Sequence, residues 1–127
     1  MNNAESGLYA VYITVDDEID IIPYPKRTED QRDELHWMQE QVDGHIQVID
    51  DIRTGRNTAM VINKEGKILG LPHNDIAQAL WFNEFDYLVG NVIIVSAIEE
   101  DLTGMTLEEA KKVELIARAM KEKLGKY

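Results

Sequence analysis

Leu88-Val89-Gly90-Asn91-Val92-Ile93-Ile94-Val95-Ser96-Ala97-Ile98 is the most apolar stretch of the chain, and its reading decides the fold. It is rich in β-branched residues, which favours a strand. It is far too short to cross a bilayer, which takes about 20 apolar residues in a helix. A continuous apolar run of this kind is covered on both faces, so it predicts a central strand. Gly90 predicts a bulge or a close backbone approach.

Toward the N-terminus, Leu8 to Val15 and Ile19 to Tyr24 read as two strands joined by the polar turn Asp16-Asp17-Glu18. Pro23 and Pro25 cannot donate to a ladder, so the second strand ends there or lies at an edge. Thr28-x-x-Gln31 has the form of a capping box, and Glu29, Asp30 and Asp33 suit the positive end of a helix. That helix is expected to run to Val42, with Leu35, Met38 and Val42 on one buried face and Gly44 as its stop. Ile46 and Val48 open a third strand, Arg53 to Asn57 form a loop, and Thr58 to Asn63 form a fourth strand. Lys67 to Leu71 read as a fifth, turned back on the fourth by Lys64-Glu65-Gly66, with Gly66 at positive φ.

Beyond these, Pro72-His73-Asn74-Asp75 breaks the pattern, and Asn74 or Asp75 can cap a short helix through Trp81. After the apolar strand, Glu99-Glu100-Asp101 with Gly104 reads as a loop. Thr106-x-x-Glu109 is a second capping box. Leu107, Ala110, Val113, Ala117, Met120 and Leu124 keep helical spacing from there, and Gly125 ends the helix. The class is therefore α+β: residues 1–7 as a flexible N-terminus, then one small domain over 8–127. Its sheet is mixed or mostly antiparallel, with about five or six strands. Two main helices and a C-terminal helix over about 106–124 accompany it, largely on one face.

The 127 residues suit one domain, and 44% hydrophobic content excludes a disordered chain. Without cysteine there is no disulfide, thiol nucleophile or cysteine zinc site. The first residues lack the basic and apolar regions of a signal peptide. A soluble, cytoplasmic protein without membrane contact is the expectation. Twenty-four acids against thirteen bases give a formal charge of −11. Phosphate binding needs the opposite sign, so direct nucleic-acid binding is not expected. An acidic surface suits a basic protein partner or serves solubility alone.

His36, His45 and His73 share no ligand spacing, and the acidic clusters lack the turn glycine of a calcium loop. No serine occupies a Gly-x-Ser-x-Gly elbow, and no glycine-rich phosphate loop is present. No cofactor, metal or catalytic residue is expected. Trp37 and Trp81 read as closing over the edge of the core, the alternative being exposed binding aromatics.

The most distinctive segment is Asn63-Lys64-Glu65-Gly66-Lys67-Ile68-Leu69-Gly70-Leu71-Pro72-x-Asn74. It resembles the motif of an uncharacterised family, domain of unknown function 3846. Leu35-x-x-Met38-Gln39-x-x-Val42-x-Gly44-x-Ile46 looks like that family's helix leading to a glycine and a strand. Asp86-Tyr87-Leu88-Val89-Gly90-Asn91-Val92 looks like its entry into the last strand. The likeness covers about Ile19 to Ile98, with the terminal helix as a more variable addition. In the motif, Gly66 is read as turning a hairpin, Gly70 as permitting close packing and Pro72 as ending a strand. Asn63 and Asn74 are read as local caps or as ligand contacts. The resemblance implies a setting in bacteria, phages and conjugative elements, and no catalytic residues.

Three functions follow, in order. The first is an accessory protein of a phage or mobile element that binds another protein, through anti-defence action or mimicry of nucleic-acid charge. Its basic partner would meet an acidic face made by Asp16, Asp17, Glu18 and Asp20 together with Glu29, Asp30, Asp33 and Glu34. The second is a small-ligand domain using Asn63, Gly70, Pro72, Asn74 and Trp81. The third is an enzyme.

Overall fold

The computed structural model describes residues 6–30 and 32–126. The element order is β1 (Tyr9–Ile13), β2 (Ile19–Pro23), α1 (Arg32–Val42), β3 (Ile46–Ile49), β4 (Thr58–Asn63), α2 (Asp75–Leu80), β5 (Val92–Ile98), β6 (Asp101–Thr103) and α3 (Leu107–Lys123). The strands form one six-stranded sheet in the order β2-β1-β5-β4-β3, with β6 pairing β5. Every pairing is antiparallel. The apolar run is the interior strand: Val92 to Val95 are fully buried and flanked by β1 and β4. The strand starts four residues later than the apolar run. Leu88 to Asn91 approach it as a loop, with Gly90 at φ 81°.

The helices do not share one face. Alternation along the strands divides the core in two. Val11, Ile13, Met60, Ile94 and their neighbours pack with α2 and α3 on one side. Ala10, Val61, Ile93 and Val95 pack with Met38 and Val42 of α1 on the other. Strands buried on both sides cannot leave one face of the sheet bare, so the helices divide between the two.

Lys67 to Leu71 are not a strand. β4 already has β3 on one side and β5 on the other, so no edge is free to receive them. The backbone bonds locally instead: Leu69 N–H to Glu65 O at 3.0 Å, Gly70 N–H to Lys67 O at 3.1 Å and Leu71 N–H to Gly66 O at 3.0 Å. The two glycines exchange their expected roles. Gly70 has φ 68° and open space where a Cβ would lie, whereas a Cβ on Gly66 would come 2.8 Å from Val89 Cγ2. Pro72 ends no strand; its carbonyl accepts from Gly90 N–H at 2.8 Å.

Several boundaries shift for identifiable reasons. Glu99 and Glu100 both take positive φ, 51° and 70°, and turn β5 into β6, so the loop expected at Glu99 to Gly104 includes a short strand. At the end of α1 the left-handed residue is Asp43, φ 62°. Gly44 is needed for space, because a Cβ there would lie 2.8 Å from Asn63 Nδ2. The buried face of α1 is Glu34, Met38 and Val42, while Leu35 faces solvent. Leu107 and Leu124 are also exposed, at the two ends of α3's apolar stripe. The capping box at Thr106 and Glu109 forms in both directions. The box at Thr28 involves Gln31, which lies outside the described residues, as do residues 1–5 of the N-terminus expected to be flexible over 1–7; within that stretch the Ser6 hydroxyl donates to Tyr24 O at 2.5 Å. The Thr28 hydroxyl lies 2.8 Å from the Asp33 carboxylate and 3.0 Å from the Asp30 carbonyl.

Candidate functional site

The motif asparagines are the starting point, because both are buried and both are fully occupied. Asn63 ends β4. Its amide donates to Val42 O at 3.0 Å and Asp43 O at 3.2 Å, closing the C-terminus of α1, and its carbonyl accepts from Glu65 N–H at 2.8 Å. Asn74 is the N-cap of α2 and accepts from Ala77 N–H at 3.1 Å. Its amide donates to Ile13 O and Gly90 O at 3.1 and 2.9 Å. A buried amide whose donors and carbonyl are each bonded within the fold serves first as a structural fastening.

Between these two anchors the chain makes one loop, 64–73, and a second loop, 82–91, runs against it. Lys67 joins them: its ammonium bonds the Asp86 carboxylate and lies 4.4 Å from the Tyr87 ring centroid. The hydrogen bond from Lys67 holds the Asp86 carboxyl below its ordinary value, with a backbone bond from Tyr87 adding to it. His73 stacks on Tyr87 with ring centroids 5.0 Å apart. Gln78 of α2, which the sequence did not single out, fastens the second loop. Its amide donates to Asn83 O and Asp86 O, and its carbonyl accepts from Leu88 N–H at 2.8 Å.

These fastened loops hold apolar side chains out in water. Phe85 is 98% exposed, Ile68 87% and Leu69 60%, with Tyr87 beside them at 45%. Phe82 on the second loop is exposed as well, with the Arg53 guanidinium 4.5 Å from its ring centroid. Single exposed apolar residues are ordinary, but five on two interlocked loops mark a candidate interaction surface. No periodic sequence signal marks them; they are apolar residues in segments broken by Gly66 and Gly70 in the first loop and Gly90 in the second.

Below the loops a cleft of about 140 Å³ lies between the end of the β3–β4 ladder and the second loop, lined by Gln47, Lys64 and Trp81 over Ile49, Ile62 and Leu88. Asn63 and Trp81 share its wall, while Gly70, Pro72 and Asn74 do not reach it. Trp81 is half-buried against the larger core and Trp37 against the smaller one, so both close the core's edge. Ligand pockets commonly run to about 300–1,000 Å³, so this cleft takes at most a fragment-sized molecule.

The acidic residues do not form one face. Asp16, Asp17 and Glu18 form the turn entering β2, and Glu29 to Glu34 follow beyond its far end. Five residues of strand, about 3.3 Å each, separate the two groups. Asp20 lies exposed on β2, and Glu29 is exposed as well. Asp17 is paired with Lys126 at 3.0 Å, and Asp30 with Arg32 at 3.0 Å. Glu34 is buried: it accepts from the Tyr24 hydroxyl and from Arg27 Nε, each at 2.6 Å, and Arg27 also reaches Asp101 at 3.3 Å. Burial, and then the bond to Glu34, push the Tyr24 hydroxyl far above its ordinary range. This network ties β2, α1 and β6 together as structure.

His36 and His45 are exposed, and His45 lies 3.3 Å from Glu65. Among the described residues no three His, Asp or Glu side chains gather as a metal site requires. Nor is any helix among them long and apolar enough to cross a membrane.

A family model described as "Domain of unknown function (DUF3846)" matches residues 10–118. The chain belongs to this family. The DUF3846 match runs wider than the likeness from Ile19 to Ile98, taking in most of β1 and most of α3. Both interlocked loops, the two buried asparagines and Gln78 fall inside it. No curated protein and no solved structure matches the chain.

Proposed function

We propose that this DUF3846 protein is a small acidic module that works by docking onto another protein, in the accessory role in phages and mobile elements that its family resemblance implies. The observation that carries this reading is the exposure of Phe85, Ile68 and Leu69 on loops whose backbones are fastened by the side chains of Asn63 and Gln78. Covering one such side chain contributes about 1.5–3 kcal/mol, so three or four offset much of the ordering cost of association. Fixed loops also lose little freedom on binding.

The net charge of −11 adds a long-range term. It steers the protein toward a basic partner and away from DNA, and it weakens as salt rises. Mimicry of nucleic-acid charge is one form of this, since proteins that bind nucleic acid carry basic surfaces. Asp16, Asp20 and Glu29 contribute to the field from separated positions and do not make a docking face.

A host pull-down with wild type and with Ile68→Ser/Phe85→Ser tests the reading. Both proteins should melt alike, and the variant should lose the specific partner at every salt concentration. Asp16→Asn/Asp20→Asn/Glu29→Gln should keep the partner and slow its association at low salt. An unchanged partner list for the loop variant overturns the proposal.

A further inference from the structure

The main run of the sheet ends in β2 on one side and β3 on the other, with short β6 pairing β5 off this run, and of the two end strands only β2 is blunted. On β2, the bond from Thr14 N–H to Glu18 O at 3.0 Å fixes the phase of the ladder with β1. Antiparallel alternation then turns the backbone groups of Ile19, Ile21 and Pro23 outward. Pro23 has no N–H to offer, and Arg118 Nη2 donates to Ile19 O at 3.0 Å. A proline and a guanidinium therefore deny this edge to an added strand.

β3 has no such protection. The bond from Lys64 N–H to His45 O at 2.8 Å fixes its phase with β4. Ile46 and Val48 consequently turn their N–H and C=O groups away from the sheet. Among the described residues β3 pairs with β4 alone. Its sequence, Ile-Gln-Val-Ile, has neither the charge nor the proline that usually guards an edge. On the α1 face an open groove of about 470 Å³ runs inward from this edge over Val48, Ala59 and Leu102. Its rim carries Asp50, Glu99 and Glu100 against the single base Arg56.

We propose that β3 accepts an added strand from a partner protein, an extended segment bearing apolar and basic side chains in turn along one face. Its backbone pairs with Ile46 and Val48, an apolar side chain covers Val48, and a Lys or Arg two residues along meets Asp50 and the acidic rim. A second copy of this chain fits less well, because each copy carries a net charge of −11 and the edge is flanked by acids with no basic run to meet them. The inference rests on the reading that the protein binds another protein, but it uses a different surface from the exposed loop side chains.

The probe is a short capped peptide in which threonine alternates with valine and lysine in turn, added to isotope-labelled full chain. Amide shifts and slowed hydrogen exchange are expected at Ile46 and Val48. Replacing the lysines by glutamate, or N-methylating the peptide amides that face β3, should each weaken binding roughly tenfold or more. Val48→Pro should weaken it similarly; the N-methylated peptide decides the matter even if that variant folds poorly. Ile68→Ser/Phe85→Ser should bind the peptide as wild type does, so failure of the loop reading and failure of this one are separable. Shifts confined to the loops, equal binding of the N-methylated peptide, or protection of Ile46 and Val48 by protein concentration alone would each overturn the proposal.

Discussion

Gly66 and Gly70 lie in the same loop and answer different physical demands. Gly70 supplies a left-handed backbone with empty space around it, and Gly66 supplies space with an ordinary backbone. Asparagine visits the left-handed region readily but is far larger than glycine. Gly70→Asn should therefore cost under about 1 kcal/mol. Gly66→Asn should cost about 1–3 kcal/mol, because its Cβ meets Val89. Chemical denaturation of the two variants checks this, and equal midpoints would mean that the loop is built otherwise. Gly66→Val is expected to destabilise for the same reason of space, although the positive φ first expected at Gly66 belongs to Gly70.

At the scale of elements, one ion pair between the two loops responds to pH. The ion pair of Lys67 and Asp86 joins loop 64–73 to loop 82–91. The Asp86 carboxyl is lowered by its bond from Lys67, so the pair's contribution is fully present above the ordinary aspartate range. It is lost as pH falls through the lowered folded value. Lys67→Met should raise the Asp86 titration midpoint toward the ordinary value, read from its carboxyl carbon by NMR. An unmoved midpoint would assign the depression to the backbone bond from Tyr87. The helix α1 illustrates a related competition. Its apolar spacing favoured Leu35 inward, yet Glu34 takes that place because Tyr24 and Arg27 satisfy its carboxylate there. A charge can be buried once its partners are in position, and those partners come from the segment after β2.

For the whole molecule, the sheet separates two apolar layers and β5 serves both. Ile94 is fully buried between β1 and β4 on the side of α2 and α3. Ile94→Asp places an uncompensated charge there, at a cost comparable to the whole stability of a domain this size, about 5–15 kcal/mol. The variant should lack the far-UV and near-UV circular dichroism of the folded protein. A cooperative melt with native spectra would contradict the interior position of β5.

The sequence by itself determined the α+β class, the interior strand, the proline-ended edge at β2, the Asn74 cap of α2, the capping box of α3, and the family. Each of these is encoded locally, in a run, a period or a cap whose partners lie within a few residues. Only the tertiary structure decided that Lys67 to Leu71 coil instead of pairing, since that depends on which strand edges other segments already occupy. It also decided that the helices divide between two faces and that the acidic clusters stand at opposite ends of β2. The candidate site was half legible. Its loops carried the distinctive motif, but the motif's polar residues, Asn63 and Asn74, proved to be internal fastenings, and the exposed side chains they hold out carry no periodic signal. Exposure and backbone pairing are properties of what the rest of the chain covers, and no local pattern of residues can encode what a distant segment leaves bare.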